Sequence, residues 1–193
     1  MTTGTNEILI AEKERADLAM TVTLVSFAML FATLFLMYAV FRSANPVWPP
    51  MGFAKTSLLL PNLSLAIIFF SSLFLHTTQR MYQLGNSRKV SYFYYLTLIF
   101  ALAFVGIQFL IWKQLKLDGI YLDSGIFASI IYGFTWIHCA HVVMGFLGLL
   151  YCFPMIRAKY ANHNFSIRLS NVAKFWHFLG IIWFLMILFI FVL

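Results

Sequence analysis

The sequence predicts an all-α membrane protein, a single bundle of five transmembrane helices, and three observations predict it. Of its 193 residues, 62% are hydrophobic and 10% are charged, with a mean hydropathy of +0.88, whereas soluble domains run near 45–50% apolar and about 25% charged. Five apolar runs approach or exceed the roughly 20 residues that cross hydrocarbon. Six acids and thirteen bases are too few to coat a water-facing surface. The net charge of +7 then reads as basic loops on one side of a bilayer, not as a surface for nucleic acid.

Residues 1–17, "MTTGTNEILIAEKERAD", form a polar tail carrying four acids. A cleaved leader opens on a basic segment followed at once by an apolar one, so this tail is not expected to be one. The first span runs from Leu18 to Phe41 and is closed by Arg42. A Pro-rich loop follows, with Trp48 placed as an interfacial anchor. The second span, Leu58 to Leu75, tolerates Pro61 in its first turn. "GNSRK" at Gly85 to Lys89 is a short turn into the third span, Val90 to Trp112. The fourth, Gly125 to Phe153, ends before Pro154, and the fifth runs from Val172 to Leu193. Nine of the thirteen Lys and Arg fall in the tail and in the second and fourth loops. The positive-inside rule therefore puts the N-terminus in the cytoplasm and Leu193 at the outer face. Cys139 and Cys152 lie on one helix about 20 Å apart and cannot bridge each other.

Function classes narrow next. All six acids (Glu7, Glu12, Glu14, Asp17, Asp118, Asp123) lie outside the spans. Proton pumps and ion-coupled transporters place ionisable groups at depth, and no inverted repeat is visible. No Ser or Cys has both a His and a carboxylate to orient it, which argues against hydrolysis.

Four histidines remain in or at the ends of spans: His76, His138, His141 and His177. Five spans and four histidines are the gross signature of a subunit holding two haems between helices. His76 and His177 share a level near the cytoplasmic side. His138 and His141 have only each other at mid-span, and residues three apart project from one face, so they cannot ligate opposite sides of one iron. A metal held by the same pair lacks third and fourth ligands, since Cys139 points about 100° away. Helix contact is the better reading: His138, His141, Gly145 and Gly148 form one stripe, in which glycines admit a close neighbour and histidines hydrogen-bond between helices. Gly125, Ser129 and Gly133 suggest a second small-residue ridge. Ser72, His76 and Gln79 line one face of the second helix, with Asn62 and Gln108 as further neutral polar groups. Trp176 and Trp183 share a face of the fifth helix, beside His177 and Gly180. An interfacial belt suits Trp176 but not the deeper Trp183. The 22 Phe are mostly lipid contact.

These motifs resemble subunit III of haem–copper terminal oxidases in its short five-helix form. "FWHFLGIIWFLMILF" (Phe175 to Phe189) is similar to that family's last-helix signature, with Trp176, His177 and Trp183 on its key positions. "HCAHVVMG" (His138 to Gly145) resembles its His-Gly-x-His-Val segment, with Cys139 where Gly is usual. "WPP" at Trp48 to Pro50 resembles its first loop. "PNLSLAIIFFSSLFLH" resembles its second span through Asn62, Ser72 and His76, and "GIQFLIW" its third through Gln108. The resemblance covers residues 18 to 193. Three departures stand out. The first span has Ser26 followed by Phe27 where the family has Ser-Glu, and Ile111 and Gly180 stand where it often has acids. The resemblance implies an accessory subunit with no haem or copper of its own, those groups residing in partner subunits. It implies packing beside the catalytic subunit I, phospholipid held between helix groups, support of proton uptake and turnover, and a bacterial cytoplasmic membrane. The rival reading is a haem b-binding five-helix anchor of a respiratory dehydrogenase or reductase. A scaffold or transporter without a respiratory role is a third.

Overall fold

The structure is a computed structural model that describes residues 2–47, 57–157 and 163–192. Trp48, with the rest of the first loop's "WPP", lies outside the described residues. The described residues form five α-helices: α1 (Thr2–Ala44), α2 (Leu59–Gln83), α3 (Ser87–Leu117), α4 (Ile126–Arg157) and α5 (His163–Met186). A π-helical segment, Ile187–Val192, continues α5. All five are long and apolar enough to cross a membrane, and no strand occurs among the described residues.

The helices outrun the apolar runs that announce them. α1 is continuous from Thr2 over 43 residues, about 64 Å at 1.5 Å per residue. Its polar first third is rich in Glu, Ala, Lys and Arg, all good helix formers, and contains no Gly or Pro between Thr5 and Ala44. α2 likewise runs on past Leu75 to Gln83.

α2 and α3 form the tightest pair. Buried positions on α2 (Pro61, Ser64, Ile68, Ser71, Leu75, Thr78) and α3 (Val90, Tyr94, Thr97, Ala101, Phe104, Gln108, Ile111, Leu115) both alternate steps of three and four. That seven-residue repeat keeps one seam facing its partner along the whole length. The turn between them is built from Leu84, Gly85 and Asn86. Gly85 takes a left-handed φ of 71°, and the Asn86 side chain accepts from Lys89 N at 3.2 Å to cap α3.

α5 is the central helix, packed against α1, α2 and α4, whereas α1 is the least buried of the five. The start of α1 is tied to α5: Asn171 Nδ2 donates to Ala16 O at 3.2 Å and Lys174 Nζ to Asp17 Oδ1 at 2.8 Å. Both partners of that ion pair are partly exposed, so its worth is below about 1 kcal/mol and is screened by salt. Asp17→Asn should lower thermal stability only slightly at low ionic strength and not at all at high, measured by melting in detergent.

Candidate functional site

The polar side chains meet along α5. Trp176 Nε1 donates to Ser71 Oγ at 3.2 Å and Trp183 Nε1 to Ser64 Oγ at 2.9 Å. Two tryptophans seven residues apart on α5 thus answer two serines seven apart on α2. All four residues are fully buried, so Trp176 belongs to the core and not to an interfacial belt. Ser71 Oγ also donates to Thr97 O on α3 at 3.1 Å, which draws α3 into the same ladder. Interhelical hydrogen bonds of this kind contribute about 0.6–2 kcal/mol each in membranes.

His138 stands at the junction of four helices and is buried. Its ring stacks on Trp183 of α5 (centroids 5.2 Å apart, 18° between planes). It meets Phe31 of α1 at 6.2 Å and Phe104 of α3 at 6.3 Å, both edge-on. Neither ring nitrogen has a hydrogen-bond partner among the described residues. His141 turns inward to its own helix, with Nδ1 2.7 Å from Ile137 O, and presents its ring to Phe27 (4.4 Å, 81°) and Phe31 (5.6 Å). The interhelical hydrogen bonds expected of these two histidines are therefore not formed. Aromatic side chains from α1, α3 and α5 surround them and offer no acceptor, and the α4 backbone takes the one bond that His141 makes.

The glycine stripe divides. A Cβ on Gly145 would lie 3.0 Å from Leu179 Cδ1, 3.2 Å from Trp176 Cε3 and 3.4 Å from Phe175 Cδ1; one on Gly148 would touch Val172 at 3.4 Å. The stripe predicted a close neighbour, and the structure makes that neighbour α5. A Cβ on Gly125 or Gly133 would meet nothing within 4 Å, so the second ridge makes no close helix contact within the described residues of this chain.

Of the remaining expected residues, two stand apart and four share a groove. Ser26 is exposed and donates to Val22 O on its own helix at 2.9 Å. Gln108 is buried on α3 with both amide atoms unpartnered among the described residues. Asn62, Ser72, His76 and His177 come together along one groove between α2 and α5, where the Ser72 hydroxyl is bonded to His177 Nδ1. No cluster of three or more His, Cys, Asp or Glu converges among the described residues, and both cysteines are free.

Several structural residues escaped the sequence reading. Besides Ser64 and Ser71, Trp112 Nε1 donates to Thr135 Oγ1 at 3.0 Å, and the buried Tyr94 hydroxyl donates to Leu149 O on α4. The signal for the serines was available: their spacing of seven matches that of the two tryptophans. The three positions that lack the family's acids are apolar here in different ways. Phe27 packs on His141, Ile111 is buried in the α3 seam, and Gly180 lies in the groove.

A sequence model of cytochrome c oxidase subunit III matches residues 5–193. The cytochrome c oxidase subunit 3 of Synechocystis sp. is 26% identical over 175 residues, 88% of this chain and 72% of that protein. The probable cytochrome c oxidase subunit 3 of Nocardia farcinica is 29% identical over 158 residues, 80% and 76% of the two chains. That of Paracentrotus lividus is 23% identical over 137 residues, 70% of this chain but 51% of its own length, so this chain spans about half of that relative. With five membrane-spanning helices, a His-bearing fourth helix sealed to the fifth by Gly145, and a family match over almost the whole length, the chain belongs to the cytochrome c oxidase subunit III family and is an accessory subunit of a terminal oxidase.

Proposed function

We propose that this chain is a non-catalytic subunit, holding no haem or copper, of an oxidase that passes electrons to oxygen in a bacterial cytoplasmic membrane. Its N-terminus faces the cytoplasm, it packs beside catalytic subunit I, and it retains phospholipid and sustains proton uptake there. The observation that carries the reading is the state of the bundle's centre. The two histidines at mid-depth are enclosed by Phe27, Phe31, Phe104 and Trp183, while four of the acids lie between Glu7 and Asp17 in the polar first part of α1 and the other two, Asp118 and Asp123, at and beyond the end of α3. Such an interior suits rigid packing against a partner better than charge movement.

Purification of the complex through this chain tests the reading. Haem and copper should co-purify in a larger partner, with oxygen consumption in the assembled complex. His141→Ala should cost about 1–2 kcal/mol of stability, by loss of its contacts with Phe27 and Phe31, while the assembled complex still reduces oxygen. Complete loss of turnover without loss of assembly would contradict it. One observation favours the rival haem anchor: His76 and His177 line the same groove. A bis-His haem b spectrum in the isolated chain that vanishes in His76→Ala would establish that rival.

A further inference from the structure

The groove between α2 and α5 carries chemistry that the accessory role does not use. It encloses about 730 Å³, and its walls, Phe69 and Phe70 on α2 and Ile181 and Phe184 on α5 among them, are almost wholly apolar. Polar groups occur only toward its two ends: Asn62 at one, and Ser72, His76 and His177 at the other. Among the described residues, no Lys, Arg, Asp or Glu lines it. The bond between Ser72 and His177 Nδ1 fixes the imidazole plane. With the serine hydroxyl donating, the ring proton sits on Nε2 as a further donor.

Three features define what fits. The polar end offers a hydroxyl and two imidazoles, with no Lys or Arg among the described lining residues, so it suits a head that presents carbonyl acceptors better than a phosphate, which calls for a cation. From His76 to Asn62 the groove follows fourteen residues of α2, about 21 Å, longer than the roughly 15 Å half-thickness of the hydrocarbon core. Its polar end sits one helical turn inside Arg80, so an occupant anchored there crosses the midplane. The groove is also open at its middle. A Cβ on Gly180 would meet only Ile68 Cγ1, at 4.0 Å, and the acid that the family often carries at this position is missing.

We propose that this groove binds a long-chain isoprenoid quinone, its head carbonyl hydrogen-bonded by His177 and His76 and its tail laid past Gly180 toward Asn62. The inference is one of binding and assigns no electron transfer to the chain. It requires only that the chain spans a membrane, so it stands apart from the oxidase role. A diacyl phospholipid is the competing occupant. It would bring a phosphate to a lining that has no Lys or Arg among the described residues, and its tails would end near the midplane.

Photolabelling of the complex purified through this chain separates the two. One arm uses an azidoquinone with an isoprenoid tail and the other an azido-phospholipid, with label positions mapped by mass spectrometry. The quinone probe should mark residues 62–76 and 177–184 and be displaced by unlabelled isoprenoid quinone. In Gly180→Phe, which fills the groove, labelling should drop at least about tenfold, and in His177→Ala by about tenfold for the lost donor. Competition on the unmutated complex carries the test if Gly180→Phe fails to assemble. Labelling of these residues by the phospholipid probe that quinone does not displace would overturn the proposal, as would the absence of label from both arms.

Discussion

Gly145→Leu should separate α4 from α5. The first added carbon already lies 3.0 Å from Leu179 Cδ1 and 3.2 Å from Trp176 Cε3, tighter than ordinary van der Waals contact, and three more carbons follow it. Leu179 can yield only by moving a side chain that is itself fully buried. Trp176 can yield only by giving up its bond to Ser71. Overpacking of a closed seam costs about 3 kcal/mol, here with the loss of one interhelical hydrogen bond. Thermal melting in detergent should show a large drop, and the subunit should be lost more readily from its complex during purification. Gly133→Ala is the control. Its added Cβ meets nothing within 4 Å, and alanine is the better helix former by up to about 1 kcal/mol. It should leave stability unchanged or slightly raised. Equal retention of both variants would mean that the α4–α5 seam does not govern the subunit's hold.

Trp183→Ala should be as costly by the opposite route. The indole fills the space between α2, α3 and α4: it donates to Ser64, stacks on His138 and meets Phe104 edge-on at 5.6 Å. Removing a buried aromatic of this size costs about 3–5 kcal/mol through lost contacts and the cavity left behind. It also strips Ser64 of its interhelical donor. Trp183→Phe should recover most of the packing while losing the Nε1 bond, for a net cost of about 1–2 kcal/mol. Melting curves of the two variants check the ordering. If Trp183→Phe is as damaging as Trp183→Ala, the hydrogen bond and not the packed volume holds α5 in place.

The five spans were legible because a hydrocarbon-crossing segment must be apolar along its length, and that pattern survives any detail of packing. Helix ends were not, since hydropathy is blind to turns that continue into water. α1 starts at Thr2 and not at Leu18, and α2 ends at Gln83 and not at Leu75. The turn at Gly85 and Asn86 was readable from residue type alone, because only a few residues accept a left-handed φ or cap a helix. Site residues fared unevenly for a physical reason. Gly145 was readable because a missing side chain matters only where a neighbour comes close, and the stripe marked the face of α4 on which one does. Gly133 carries the same signal and meets nothing, since periodicity identifies a face and not what lies opposite. His138 and His141 looked like polar bridges because imidazole needs partners. The partners turned out to be rings from three other helices, which no local pattern reveals.

The α2–α3 hairpin also bears on the order in which the bundle assembles. Its two helices are joined by the three residues Leu84, Gly85 and Asn86, so their contacts form between chain neighbours at little cost in loop-closure entropy. The bonds from Trp176 to Ser71 and from Trp183 to Ser64 close over 105 and 119 residues. The hairpin is thus a local nucleus that presents its serines before the fifth helix exists to meet them, and docking of that last helix is the slow, long-range step. Translation runs in the same direction: the hairpin surface is made before the helix that locks onto it.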